Sequence, residues 1–212
     1  MIFKSDMLSL YAITGGGDES RLYDMAQAAL SGGVTMLQLR EKNISESELM
    51  RRAIRLKELC HRYGVPLIIN DNAAVAIECG ADGVHVGAED MPVAQIRKAA
   101  GDGFIIGATA KTPEQARAAQ DDGADYIGVG AVFPSPTKEN ALRITADRLK
   151  EISGCVKIPS VAIGGICLDN INELRGCGIT GVAVVSAIFG ADDIKSAAKA
   201  MKEAAAEVIK AQ

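Results

Sequence analysis

GADGVHVG, residues 80–87, and GADYIGVG, residues 123–130, are one phrase written twice. Each reads as a glycine that ends a helix, a tight turn, and a short apolar strand. Two looser copies, GGVTMLQLR (residues 32–40) and GITGVAVV (178–185), carry the same three parts. A repeat of this kind marks a supersecondary unit copied along the chain.

Further apolar runs fall between these copies: LSLYAIT (8–14), PLIIND (66–71), FIIGAT (104–109) and SVAIGG (160–165). They are continuous, not alternating, as parallel strands covered on both faces should be. Helix-like segments separate them. SESELMRRAIRLKELCHRYG (45–64) opens on a Ser45-x-x-Glu48 capping box and closes on Gly64. About eight strand–helix units therefore fill the 212 residues, and the repeats fall in roughly every second unit. This predicts an α/β protein folded as one (β/α)8 TIM barrel, a single domain over residues 1–212. An open doubly wound sheet is the alternative; the regularity of the units and the lack of a dinucleotide fingerprint disfavour it.

Composition narrows the function. A net charge of -4, 4% aromatic residues and no Trp leave neither the basic footprint nor the stacking platform of a nucleic-acid binder. The five cysteines (Cys60, Cys79, Cys155, Cys167, Cys177) form no C-x-x-C pair and read as reduced thiols, neither a disulfide frame nor a zinc site. No apolar run reaches membrane-spanning length, and the N-terminus shows no signal-type h-region. The expectation is a cytoplasmic protein acting on small molecules, with no nucleic-acid or membrane partner and a homo-oligomer left open.

In a TIM barrel the active site lies at the carboxyl ends of the strands, and polar residues gather there strand after strand. The second strand ends in Gln38, Arg40 and Lys42, at alternate positions that face one way; the third ends in Asn70 and Asp71. Glu89 and Asp90 follow the fourth, Thr109 ends the fifth, and the loop AVFPSPTKENALR after the sixth carries Ser135, Pro136, Thr137 and Lys138. The seventh gives Gly164 and Gly165, followed by CLDN as a helix start, and the eighth gives Ser186. Asp71 and Asp90 on neighbouring strands suit Mg2+; salt bridges to Arg40 or Lys42, or Asp90 capping a helix at Pro92, explain them equally well. Gly164 and Gly165 with Ser186 form either a phosphate cup or a tight turn. Lys138 fits a mobile anion clamp in a lid-like loop better than a Schiff-base lysine. His85, a lone histidine inside a strand, is expected to be a hydrogen-bonded core residue. Two anion sites on one rim imply phosphorylated small-molecule substrates and transfer between them.

The set Gln38–Lys42 (QLREK), Asn70-Asp71, His85-Val86-Gly87 with Asp90, Gly130–Lys138, Gly164–Ile166 and Val185-Ser186 closely resembles the thiamine phosphate synthase family, in order over nearly the whole chain. That resemblance implies a transferase of a pyrimidinylmethyl group. It would join 4-amino-5-hydroxymethyl-2-methylpyrimidine diphosphate to a thiazole phosphate, releasing pyrophosphate by a dissociative route. It further implies that Gln38, Arg40, Lys42, Asn70 and Lys138 hold the pyrimidine diphosphate, with Mg2+ on Asp71 and Asp90. Arg40, Lys42 and Lys138 would be the catalytic cations. Thr109 would border the pyrimidine, and Ser135, Pro136, Thr137, Gly165, Val185 and Ser186 the thiazole phosphate. The chain departs from the family pattern at Asn72, Ala74, Ala88 and Lys111. A thiazole tautomerase on the same barrel is the nearest rival, but tends to lack the QLREK and aspartate set. A non-catalytic phosphate-binding barrel would not need Asp71, Asp90 and Lys138 together.

Overall fold

The computed structural model describes residues 2–16, 19–134 and 143–212. Eight parallel strands form a closed barrel in sequence order: β1 (Leu10–Ile13), β2 (Met36–Leu39), β3 (Leu67–Asn70), β4 (Gly83–Val86), β5 (Ile105–Ala110), β6 (Tyr126–Gly130), β7 (Ser160–Ile163) and β8 (Gly181–Val184). β8 pairs with β1 through Leu10↔Val182 and Tyr11↔Ala183, which closes the ring. The helices are α1 (Glu19–Ser31), α2 (Glu46–Arg62), α3 (Ala73–Glu78), α4 (Val93–Ala100), α5 (Pro113–Asp121), α6 (Ala146–Gly154), α7 (Ser186–Phe189) and α8 (Ile194–Ile209). Short 3-10 turns lie at Ser5–Leu8 and Ile171–Leu174. Among the described residues no helix is long and apolar enough to cross a membrane.

The repeated phrase has a structural meaning. Its glycines Gly33, Gly80, Gly123 and Gly178 all have positive φ (100°, 64°, 94° and 72°), the left-handed turn by which the chain leaves a helix for the next strand. Three of the four copies then place a side-chain oxygen under the preceding strand. Thr35 Oγ1 accepts from Leu10 N (2.9 Å), Asp82 Oδ2 from Leu67 N (2.9 Å) and Asp125 Oδ2 from Ile106 N (2.7 Å). Each satisfies an N–H at the buried start of a strand.

The apolar residues divide into two shells. Tyr11, Met36, Ile68, Ile105, Tyr126 and Val161 fill the barrel interior, and Phe3 stacks below Tyr126 at 6.1 Å between ring centroids. The outer shell lies between strands and helices, where α2 contributes Leu49, Ala53, Leu56 and Cys60 at helical spacing. Burying each leucine of this stripe stabilises the fold by roughly 1.5–3 kcal/mol. Ser45 starts α2 as expected, accepting from Glu48 N at 3.2 Å. The Glu48 side chain goes instead to Arg52. One expectation is corrected: CLDN (167–170) does not open an α-helix, because Asn170 turns back to Gly165 O (2.9 Å) and only a 3-10 turn follows. The next helix start, beside β7, is the single turn of α7 after β8.

Candidate active site

The end of β2 is fixed by Thr14, the residue after β1. Its hydroxyl accepts from Arg40 N (2.8 Å) and donates to Arg40 O (3.1 Å). Strand geometry ends at Leu39, so the alternate facing of QLREK holds for Gln38 and then gives way to a turn. Gln38 points into the barrel, 2% exposed, its Nε2 donating to Tyr11 Oη at 2.6 Å. Arg40 is half-buried and Lys42 exposed. Between them Glu41 turns away from the mouth: its side chain is 3% exposed and lies 3.4 Å from the buried Arg52 of α2. Arg52 also pairs with Glu48 and approaches Glu19 at 3.8 Å. The sequence alone did not single out this anchor, because a glutamate beside two cations looks like part of their cluster.

On β3 and β4 the register Asn70↔His85 sets two carboxylates side by side. Asp71 takes a left-handed conformation (φ 64°), and its N–H donates to His85 O at 2.8 Å. Asp90 lies beyond β4, its Oδ2 accepting from Gly87 N at 2.7 Å, so it closes a turn and does not cap α4, whose cap residue is Pro92. Burial raises the pKa of Asp71, and the charge and hydrogen bond of Asp90 raise it further. A hydrogen bond from Asn70 and the charge of Arg40 oppose them. Asn70, Asp71, Asp90 and Arg40 therefore share one spot. Among the described residues no salt bridge within 4.0 Å ties either aspartate to Arg40 or Lys42. Two repelling carboxylates under weak cationic compensation fit a hard divalent cation that completes its shell with phosphate oxygens and water. No cluster of three or more metal-ligating side chains exists among the described residues, which is consistent with so open a site.

Thr109, half-buried near the end of β5, joins the interior. His85 bonds to it through Nε2 (3.1 Å) and to Tyr126 Oη through Nδ1 (3.1 Å), and Tyr126 Oη meets Tyr11 Oη at 3.0 Å. His85 is thus the hydrogen-bonded core residue expected of it. Tyr11 and Tyr126 were read only as strand residues; nothing in their spacing links two tyrosines 115 positions apart.

On the opposite side of the mouth, Gly164 and Gly165 have φ of 101° and 66°. A Cβ on Gly165 would overlap Pro134 O, so the chain after β6 lies directly against the end of β7. Phe133 N donates to Gly164 O at 3.0 Å. Both glycines therefore have a packing reason as well as an address beside Val185, half-buried, and Ser186, which opens α7 and is exposed. Ser135, Pro136, Thr137 and Lys138 lie outside the described residues.

Residues 10–188 match the family model described as "Thiamine monophosphate synthase". The chain is 48% identical over 176 residues to the thiamine-phosphate synthase of Alkaliphilus oremlandii, covering 83% of this chain and 84% of that protein. It is 45% identical over 193 residues to that of Methanobrevibacter smithii, covering 91% and 92%. The solved thiamine phosphate pyrophosphorylase from Pyrococcus furiosus superposes with a TM-score of 0.86 at 37% identity, over 97% of this chain and 98% of that one.

Proposed function

Because the chain belongs to the thiamine monophosphate synthase family, whose relatives here are thiamine-phosphate synthases and hence transferases, we propose that it joins two phosphorylated heterocycles. One is 4-amino-5-hydroxymethyl-2-methylpyrimidine diphosphate. The other is 4-methyl-5-(2-phosphoethyl)thiazole, carboxylated or not. The bond between the pyrimidine methylene carbon and the diphosphate oxygen breaks, and pyrophosphate leaves with the electron pair. The thiazole nitrogen lone pair then forms the new C–N bond, and a carboxylated thiazole also loses CO2.

The observation that carries this reading is the meeting of Asn70, Asp71, Asp90 and Arg40 at the ends of β2, β3 and β4. Arg40, Lys42 and Lys138 would hold the diphosphate and stabilise the charge it acquires on leaving, the kind of electrostatic assistance that needs no protein nucleophile. Asp71 and Asp90 would hold Mg2+, which when bound neutralises the same charge. Gln38, Asn70 and Thr109 would orient the pyrimidine. Ser135, Pro136, Thr137, Gly165, Val185 and Ser186 would seat the thiazole phosphate, for which the backbone N–H groups at the start of α7 are suited.

The test is direct. Purified protein with both substrates and Mg2+ is expected to yield thiamine phosphate and pyrophosphate in equal amounts, and a chelator should stop the reaction. Binding of both substrates without product would overturn the proposal.

A further inference from the structure

The barrel interior contains a row of polar groups whose three middle members have no role in the reaction above. It runs Gln38 (β2), Tyr11 (β1), Tyr126 (β6), His85 (β4) and Thr109 (β5), with successive separations of 2.6, 3.0, 3.1 and 3.1 Å. Tyr11 and Tyr126 are 1% and 0% exposed. The strands make room for this row. A Cβ at Gly107 would overlap both the Tyr126 and His85 rings, and one at Gly128 would come within 3.0 Å of His85 Cε1. Two interior-facing positions thus have no side chain so that two polar rings can meet in an otherwise apolar core.

A row of single-proton groups has a direction. An amide nitrogen only donates, and each tyrosine hydroxyl has one proton. With Gln38 Nε2 donating to Tyr11, the acceptor that the buried Tyr11 hydroxyl proton meets is Tyr126 Oη, and the one that the Tyr126 proton meets is His85 Nδ1. A neutral His85 then holds its proton on Nε2 and donates it to Thr109 Oγ1. Both phenols stay protonated throughout, since burial pushes their pKa values up.

We infer that Tyr11, Tyr126 and His85 are positioning residues whose relay fixes hydrogen-bond polarity at the mouth. The relay leaves the Gln38 amide oxygen as acceptor and the Thr109 hydroxyl proton as donor to meet the substrate, with the second Gln38 N–H outside the relay. That pair selects a heterocycle edge with a donor beside an acceptor, as a 4-aminopyrimidine has, against the 4-oxo analogue, where ring N–H and carbonyl reverse the order. The substrate class rests on the proposed function; the relay does not. Run backwards, with Gln38 accepting and Thr109 donating inward, the same row would require His85 to hold its proton on Nδ1.

The closing experiment has two parts. 15N NMR of the ligand-free protein, with His85→Gln to assign the signals, is expected to show His85 as the Nε2-protonated neutral tautomer. An Nδ1-protonated ring overturns the relay polarity. Second, kcat/KM is compared for the 4-amino and 4-oxo pyrimidine diphosphates. A site built on such bonds discriminates by about 10⁴, and Tyr126→Phe should reduce that ratio by about tenfold or more, mainly through KM, as loss of a buried hydrogen bond does. Tyr11→Phe, which keeps the ring packing, should do the same. A folded variant in which both substrates lose activity equally, or neither does, overturns the positioning role. If the wild type uses neither pyrimidine, the substrate assignment fails, and the tautomer still decides the relay.

Discussion

At the residue scale Asp71 shows the conflict that the proposed metal site would build into a fold. Its φ of 64° is unusual for a residue with a Cβ, though tolerated by Asp and Asn, and its carboxyl, on an exposed residue at the rim, is set against that of Asp90. Because folding raises its pKa, the folded state holds that proton more tightly than the unfolded chain. The contribution of Asp71 to metal-free stability is then greatest where both states are protonated, and falls as the pH rises through the raised folded value. Asp71→Asn keeps the left-handed backbone and removes the repulsion. The metal-free variant should melt higher than the wild type at neutral pH, with a flatter pH dependence and no further rise on adding Mg2+ with pyrophosphate. Calorimetry across pH checks this; an unchanged slope and an intact Mg2+ response would remove Asp71 from the metal site.

At the element scale the cationic end of β2 is held by the helix that follows it. α2 sends Arg52 inward to the buried Glu41, and burial outweighs the guanidinium, so Glu41 titrates above the usual carboxylate range. The two partners should respond unequally to substitution. Arg52→Met leaves Glu41 buried without its cation and should cost about 3 kcal/mol, seen as a Tm lower by roughly 6–12 °C. Glu41→Gln leaves Arg52 still paired with Glu48 and Glu19, and should be close to neutral in stability. Equal losses in both variants would contradict this account.

At the scale of the whole molecule everything depends on ring closure between β8 and β1. A Cβ at Gly181 would overlap Leu8 O, so this glycine lets the last strand approach the turn that leads into the first. Gly181→Ala should lower stability by about 1–3 kcal/mol, as overpacking does, read as a lower urea midpoint. An unchanged midpoint would show that the seam has slack. The strands, helix α2 and the rim address of Gln38, Arg40, Asn70, Asp71 and Thr109 were legible in the sequence, because strand runs, caps such as Ser45 and turn glycines such as Gly80 and Gly123 are written in local residue choice. The turn at Gly164–Gly165 was legible only in part, since Asn170 folds back where a helix start was expected. The burial of Glu41 on Arg52 and the row from Gln38 to Thr109 were not legible at all. Sequence by itself determined which elements form and which of their ends are polar, because those follow from neighbours within a few residues. Only the tertiary structure decided which polar groups meet, because Tyr11, Tyr126 and His85 become neighbours solely through the register of a closed barrel.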